Sequence, residues 1–271
     1  MAYNSTSQHP EEHEESYFVS MTDMMVGMLF LFIIMLMFFA MKFSDDSVDL
    51  REQIRQLGTE RDKLGTQLAL LQGTQLARKE IVEKVYLSLR EQGVTVLIDR
   101  DNGILRLPES ILFPKGHAEL SPGGKEAVAK LAKALNQVLP CYSSQPDGTT
   151  PAQCPPSAFG LEALLVEGHT DSDGSEEMNW RLSMERSLHT YQVMTREYPS
   201  LGSLCSRQTR QDQGKPPSLY PLMSVAGYGL KRPVAPNDTE ENKQRNRRID
   251  IRFIMTPPSE QTVNMARRLL E

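Results

Sequence analysis

The chain has 271 residues, a formal net charge of -5 and a mean hydropathy of -0.42. That length fits one or two folded units, and an acidic chain offers no basic footprint for nucleic acid, so no direct nucleic-acid partner is expected. With so low a mean hydropathy, any strongly apolar stretch is a local concentration, and the remainder is expected to be water-soluble.

Residues 1–16 are polar and acidic, and the composition predicts a disordered tail. His9-Pro10-Glu11-Glu12-His13 matches the H-x-x-E-H zinc pattern in form, but such a site needs a rigid helix and Pro10 opposes one, so no metal site is expected. Residues 17–42 follow as a transmembrane helix. The 23 residues from Val19 to Met41, VSMTDMMVGMLFLFIIMLMFFAM, would span roughly 34 Å as a helix, enough to cross the hydrocarbon layer. The run is too long for a signal-peptide core and no Lys or Arg precedes it, which favours an uncleaved anchor. Asp23 lies within it. A carboxylate deep in such a helix costs ~2.5–3.5 kcal/mol, and even near an end it needs hydration, a partner or a proton. Ser20 and Thr22 stand beside it as helix-face polar residues able to bond the carboxylate.

Lys42, Arg51 and Arg55 follow the span, so a strict positive-inside count would put the C-terminal part in the cytoplasm. The cysteines and the C-terminal domain favour the oxidising side, and the expected topology has the N-terminus cytoplasmic and the C-terminal domain periplasmic. Residues 43–92 form a helical linker. Leu50, Ile54, Leu57, Leu64, Leu68 and Leu71 recur in steps of four and three, with Arg61 in the skipped slot. That short heptad pattern predicts a coiled-coil-like stalk between two copies of the chain, or an amphipathic helix lying on another surface. Gly58, Gly65 and Gly73 each cost ~1 kcal/mol relative to alanine, which makes the stalk weak. Its first part, about residues 42–57, is also a candidate plug.

From residue 93 the texture changes to alternating strands and helices. Strands are predicted at 94–98 and 103–107 around the turn cluster Asp99-Arg100-Asp101-Asn102, then a helix at 124–139, a strand at 161–167 and a helix at 176–197. A strand at 221–227, a short helix at 238–245 and a strand at 248–255 follow. The expectation is an α+β fold, with helices against a mixed sheet over residues 93–256, and a last helix in 257–271. Two Pro/Gly/Ser-rich insertions, 140–160 and 199–220, are expected to be surface loops. They hold all three cysteines, with no C-x-x-C pair to suggest zinc. One intramolecular disulfide is expected, Cys141 to Cys154 favoured and a pairing with Cys205 the alternative.

GHTDSDGSEEMNWRLSMERS, residues 168–187, places an acidic turn between a strand and a helix that carries Asn179, Leu182 and Arg186 on one face. Asp171 offers a carboxylate and Arg186 a planar fork of donors, so a group with both an ammonium and a carboxylate would fit between them. A structural salt bridge with a capping turn accounts for the same residues. The pattern GHTD-x-x-G-S-x-x-x-N-x-x-L-S-x-x-R resembles the signature of OmpA-like peptidoglycan-binding domains. Asn246-Arg247-Arg248 before the strand IDI is similar to that family's closing motif, and Phe113 to Leu120 resembles the segment before its first helix in flagellar MotB. The resemblance covers about residues 93–256 and implies an OmpA-like α/β sandwich. In it Asp171 and Arg186 bind the diaminopimelate of the wall stem peptide, with Asn179 and Leu182 lining the groove. The chain departs from the family in its two insertions and in lacking an aspartate near Gly116.

Tyr17 and Asp23-Met24-Met25-Val26-Gly27-Met28 in turn resemble the membrane segment of B subunits of ion-driven stators, with a different spacing from tyrosine to aspartate. That resemblance implies that Asp23 carries the ion, that two copies of the chain sit within five multi-span A subunits, and that the assembly is held to peptidoglycan in the inner membrane. The acidic tail departs from flagellar members and favours the anti-phage kind. A flagellar stator and a passive wall tether are the alternatives. The sequence shows no nucleophile, base and oxyanion set and no phosphate-binding glycine loop, so neither an enzyme nor a cofactor is expected.

Overall fold

The computed structural model describes residues 12–155, 159–210 and 218–257. Residues 258–271 of the last expected helix, and residues 1–11 of the tail with His9, Pro10 and Glu11 of the His9 to His13 pattern, lie outside the described residues. Helix α1 runs Glu12–Glu91, so it begins inside the segment expected to be unstructured. The chain divides into two compact units, Met1–Gly65 and Thr66–Glu271.

In the first unit, α1 holds a stretch of mean hydropathy 2.7, long and apolar enough to cross a membrane. Its large apolar side chains from Met21 to Phe43 are all exposed in the single chain, as is Asp23.

The second unit starts earlier than the expected boundary at residue 93. Ala77, Ile81, Val82, Val85 and Leu89 of α1 are buried, and all but Ala77 belong to the same core cluster as Leu105, Leu131 and Ile251. Spacings of four and three put them on one helix face. The end of the expected linker is therefore part of the globular fold, because it supplies apolar surface that the core needs.

Strands β1 (Leu97–Asp99), β2 (Ile104–Pro108), β3 (Leu161–His169), β6 (Met223–Gly227) and β7 (Arg248–Met255) form one sheet in the order β1-β2-β7-β3-β6. All neighbours are antiparallel except β3 and β6, which are parallel and joined through helix α4 (Glu176–Glu197). Helix α2 (Glu109–Leu112) follows β2 directly, and α3 (Pro122–Val138) starts where Ser121 accepts a bond from the Gly124 amide and Pro122 opens the helix. Helix α6 (Glu240–Asn246) is capped in the same way by Thr239. The fold is α+β, as expected.

The sheet alternates in character. Leu164, Val166, Ile249, Ile251 and Phe253 belong to the apolar core, while Glu167, His169, Arg248, Asp250 and Arg252 point to the other face.

The two insertions are more ordered than their composition suggested. Helix α5 (Pro199–Ser203) and the strands β4 (Cys205–Arg210) and β5 (Ser218–Pro221), which pair as a small separate sheet, occupy the second. Leu201, Leu204, Tyr142, Ser143 and Ser144 are buried, so both insertions pack onto the domain instead of looping over its surface. Short apolar anchors among Pro, Gly and Ser residues were enough to seat them. Cys141 and Cys154 are disulfide-bonded across 13 residues, the favoured pairing, and Cys205 is free and half-buried.

Candidate functional site

One end of the sheet gathers the candidate residues. The register pairs Pro108 of β2 with Arg248 of β7, so the next residues outward, Glu109 and Arg247, stand side by side, and the Glu109 amide donates to the Arg247 carbonyl at 3.0 Å. His169 at the end of β3 also pairs with Arg248, which brings the Thr170-Asp171 turn to the same end. Helix α4 reaches this end because two glycines let it approach closely. A Cβ on Gly168 would lie 2.0 Å from the Ser183 carbonyl oxygen, and one on Gly227 would lie 2.7 Å from the Met184 nitrogen. Ser175 caps α4 by accepting from the Met178 amide, and Asn179 ties the turn to the helix through a 2.8 Å bond to the Asp173 carbonyl.

Asp171, Asn179, Leu182 and Arg186 line one cavity of about 390 Å³, together with Glu109 and Arg247. The structure brings these four expected residues together. It also shows that the charged pair is already engaged. Arg186, 2% exposed, donates its Nε to the His117 carbonyl and its Nη2 to Glu109. Arg247 Nε lies 2.6 Å from the other oxygen of Glu109, an ion pair outside hydrogen-bond angles, and its Nη1 donates to Asp171 at 2.5 Å. Arg247 Nη2 reaches Glu240 on the rim at 2.7 Å, and Lys115 faces Glu240 at 3.6 Å. Burial lowers the affinity of Arg186 for its proton, an effect Glu109 only partly offsets. For Arg247 burial acts in the same direction, but Asp171, Glu240 and Glu109 outweigh it and hold the group above the ordinary arginine range. A guanidinium keeps its proton at ordinary pH, so the cavity is lined by paired ions.

Glu109 and Arg247 are site residues that the sequence reading left out. Arg247 belongs to the closing motif and was read as part of its pattern only. Glu109 carried one signal, a single acid between the strand ILRLP and the apolar SILF.

No family model matches the sequence. Among curated proteins the chain is 27% identical over 163 residues to the probable lipoprotein YiaD of Escherichia coli K12, covering 60% of this chain and 56% of YiaD. It is 26% identical over 152 residues to Motility protein B of Bacillus subtilis, covering 55% of this chain and 43% of that protein. To the Zorya protein ZorB of an enterotoxigenic Escherichia coli it is 24% identical over 255 residues, 93% of this chain and 85% of ZorB. The chain is similar to ZorB over most of its length and to Motility protein B over about half of it. The match to ZorB spans both units, so it takes in the α1 segment that carries Asp23 as well as the charged cavity.

A second charge cluster, partly buried, lies on the sheet face away from the core. Arg252 holds Glu167 with two bonds of 2.8 Å, and Arg248 holds Asp250 at 3.1 Å. Arg106 lies between Asp99 at 3.1 Å and Asp250 at 3.6 Å. His169, 1% exposed, stacks on Tyr228 at 5.3 Å, and burial followed by the nearby arginines lowers its pKa to about 2. Glu167, His169 and Asp250 bring oxygen and nitrogen atoms within 4.8 Å of one another, a spacing that a metal ion could use. Arg252 and Arg248 already supply the positive charge that an ion would bring.

Proposed function

We propose that this chain is the B subunit of a proton-driven rotary motor, anchored to peptidoglycan and acting in anti-phage defence at the inner membrane. The observation that carries the reading is the likeness to ZorB over 93% of the chain, in a protein whose apolar helix bears Asp23 and whose second unit has a charged cavity. The N-terminus is cytoplasmic and the OmpA-like domain periplasmic, where a disulfide such as Cys141–Cys154 persists.

In an apolar channel the Asp23 carboxylate alternates between a charged form that seeks water and a neutral form that tolerates the hydrophobic wall. Each proton crossing ~100 mV releases ~2.3 kcal/mol, available to turn one packed element past another. One span cannot enclose such a path. A multi-span A subunit of the ZorA or MotA type supplies the rest, five around two copies of this chain. The seam residues Leu50, Ile54, Leu57, Leu64, Leu68 and Leu71 are all exposed in the single chain, which supports pairing of two copies. In the periplasm Asp171 takes the ammonium and Arg186 the carboxylate of the diaminopimelate centre, with Asn179 and Leu182 against its chain. The role is mechanical and needs no cofactor.

Phage plaquing on cells carrying the whole gene cluster tests the reading. Asp23→Asn, at normal protein level and assembly, is expected to abolish protection. Protection that survives the substitution would reduce the chain to a passive wall tether, a reading compatible with the likeness to the lipoprotein YiaD over 60% of the chain.

A further inference from the structure

The charged groups at the cavity form a row. Arg186 contacts Glu109, Glu109 contacts Arg247, and Arg247 contacts Asp171, so the signs run plus, minus, plus, minus. All four side chains are at least 89% buried, with exposures of 2%, 6%, 11% and 7%. The two interior members use both of their ends on their neighbours. The two terminal members do not: Nη1 of Arg186 donates no hydrogen bond among the described residues, and each Asp171 oxygen accepts one bond, from the Asp173 amide and from Arg247. Both line the same cavity. The next pair outward, Lys115 and Glu240, is also balanced, as are Lys243 with Asp173 and Arg181 with Glu185. The lining thus has no excess of either sign.

We propose that Glu109 is a specificity-determining residue of this site, the buried link that keeps the row alternating and so selects a ligand carrying both a carboxylate and an ammonium. Such a ligand closes the row into a ring of six alternating charges, its carboxylate on Arg186 and its ammonium on Asp171. A ligand with carboxylates alone meets Arg186 at one end and is repelled by Asp171 at the other, with no net positive charge in the row to compensate. Without Glu109 the row carries an excess positive charge held in a poorly solvated place, and a purely anionic ligand gains relative to a zwitterion. Without Arg247 the excess is negative and the shift is opposite. This inference rests on the proposed wall-binding reading of Asp171 and Arg186.

The test measures retention of the full chain, in detergent, on purified sacculi that contain diaminopimelate. Free meso-diaminopimelate and pimelate, the same carbon chain without its amines, serve as competitors. The wild type is expected to be released by meso-diaminopimelate at concentrations at least tenfold below those of pimelate. Glu109→Gln should narrow that ratio severalfold, Glu109→Asp should restore it, and Arg247→Gln should widen it. Shifts of opposite sign distinguish a role in charge selection from simple loosening of the domain, which would weaken both competitors together. Trp180 fluorescence, from the chain's single tryptophan, checks that each variant folds, and if Glu109→Gln does not, the direction of the Arg247→Gln shift decides. An unchanged ratio in folded Glu109→Gln, or in Arg247→Gln, overturns the inference. Wild-type levels of retention in Arg186→Ala would instead overturn the wall-binding reading beneath it.

Discussion

Among its described residues the unit Thr66–Glu271 contains two charge networks that differ in what their ends face. At the end of the sheet, Arg186, Glu109, Arg247 and Asp171 form a row with both ends on a cavity. On the sheet face, Arg252 with Glu167, Arg248 with Asp250 and Arg106 with Asp99 pair among themselves. Ion pairing is common to both, although Arg106, Asp99 and Arg252 of the second are about a quarter exposed. What separates them is whether the terminal groups retain bonding capacity toward open space. Buried ion pairs are weak evidence for stability or function in themselves, and only the first network is arranged to take a ligand.

The largest expected effect follows from breaking the closed network. Asp250→Ala leaves Arg248 buried and unpaired and also removes a neighbour of Arg106, so unfolding should become easier by ~3–5 kcal/mol. Asp171→Asn, in the open row, leaves Arg247 with Glu109 and Glu240 and should cost only ~1–2 kcal/mol, while sacculus retention falls more than tenfold. Denaturant unfolding followed at Trp180, paired with sacculus retention, measures both. Equal losses of stability, or retention that falls as far in folded Asp250→Ala as in Asp171→Asn, would remove the distinction between the networks.

An intermediate effect calibrates that comparison from a third region. The Cys141–Cys154 bond closes a short loop, with a sequence separation of 13, in an insertion that does not line the charged cavity. Loop-closure entropy assigns it ~3 kcal/mol. Replacing both cysteines with serine should lower stability by about that amount and leave sacculus retention at the wild-type level while the domain is folded. A parallel loss of retention would mean that any destabilisation weakens binding, and the contrast drawn from Asp171 would lose its force.

The sequence made the first network only partly legible. Asp171, Asn179, Leu182 and Arg186 fall in one motif of twenty residues, and helical spacing with a strand-to-turn boundary suffices to group them. Glu109 comes from a segment 77 positions before Arg186, and its place depends on the β2–β7 register, which no local pattern encodes. The positions of the main strands and of α4 along the chain were readable from alternating apolar residues and from the turn and capping signals that bound them. Strands β4 and β5 were not, because Pro, Gly and Ser dominate their surroundings and their packing is tertiary. The buried end of α1 was also missed. Its apolar positions from Ala77 to Leu89 continue the helical spacing of the heptads, so the same pattern served a stalk and a core helix equally well.

The smallest effect at neutral pH belongs to His169, and it grows as the pH falls. Its pKa in the fold, about 2, lies below the ordinary value of 6.5, so in acid the unfolded chain takes up a proton that the folded chain refuses. Stability associated with this group is therefore present above pH ~6.5 and declines by ~1.4 kcal/mol per pH unit below it. The charged groups around it, Arg248, Arg232, Arg252 and Arg106 against Asp250 and Glu167, leave a net positive surrounding that opposes the imidazolium. His169→Gln, which keeps a polar side chain without the titration, should cost little at pH 7.5 and flatten the acid limb of the stability profile between pH 6.5 and 4.5. Folded variants should retain sacculus binding at both ends of that range, because the closed network has no terminal group on the cavity. If the profile keeps its slope in His169→Gln, the histidine does not titrate on unfolding as its burial requires; if wall binding changes with it, the two networks are coupled and the closed one is part of the site.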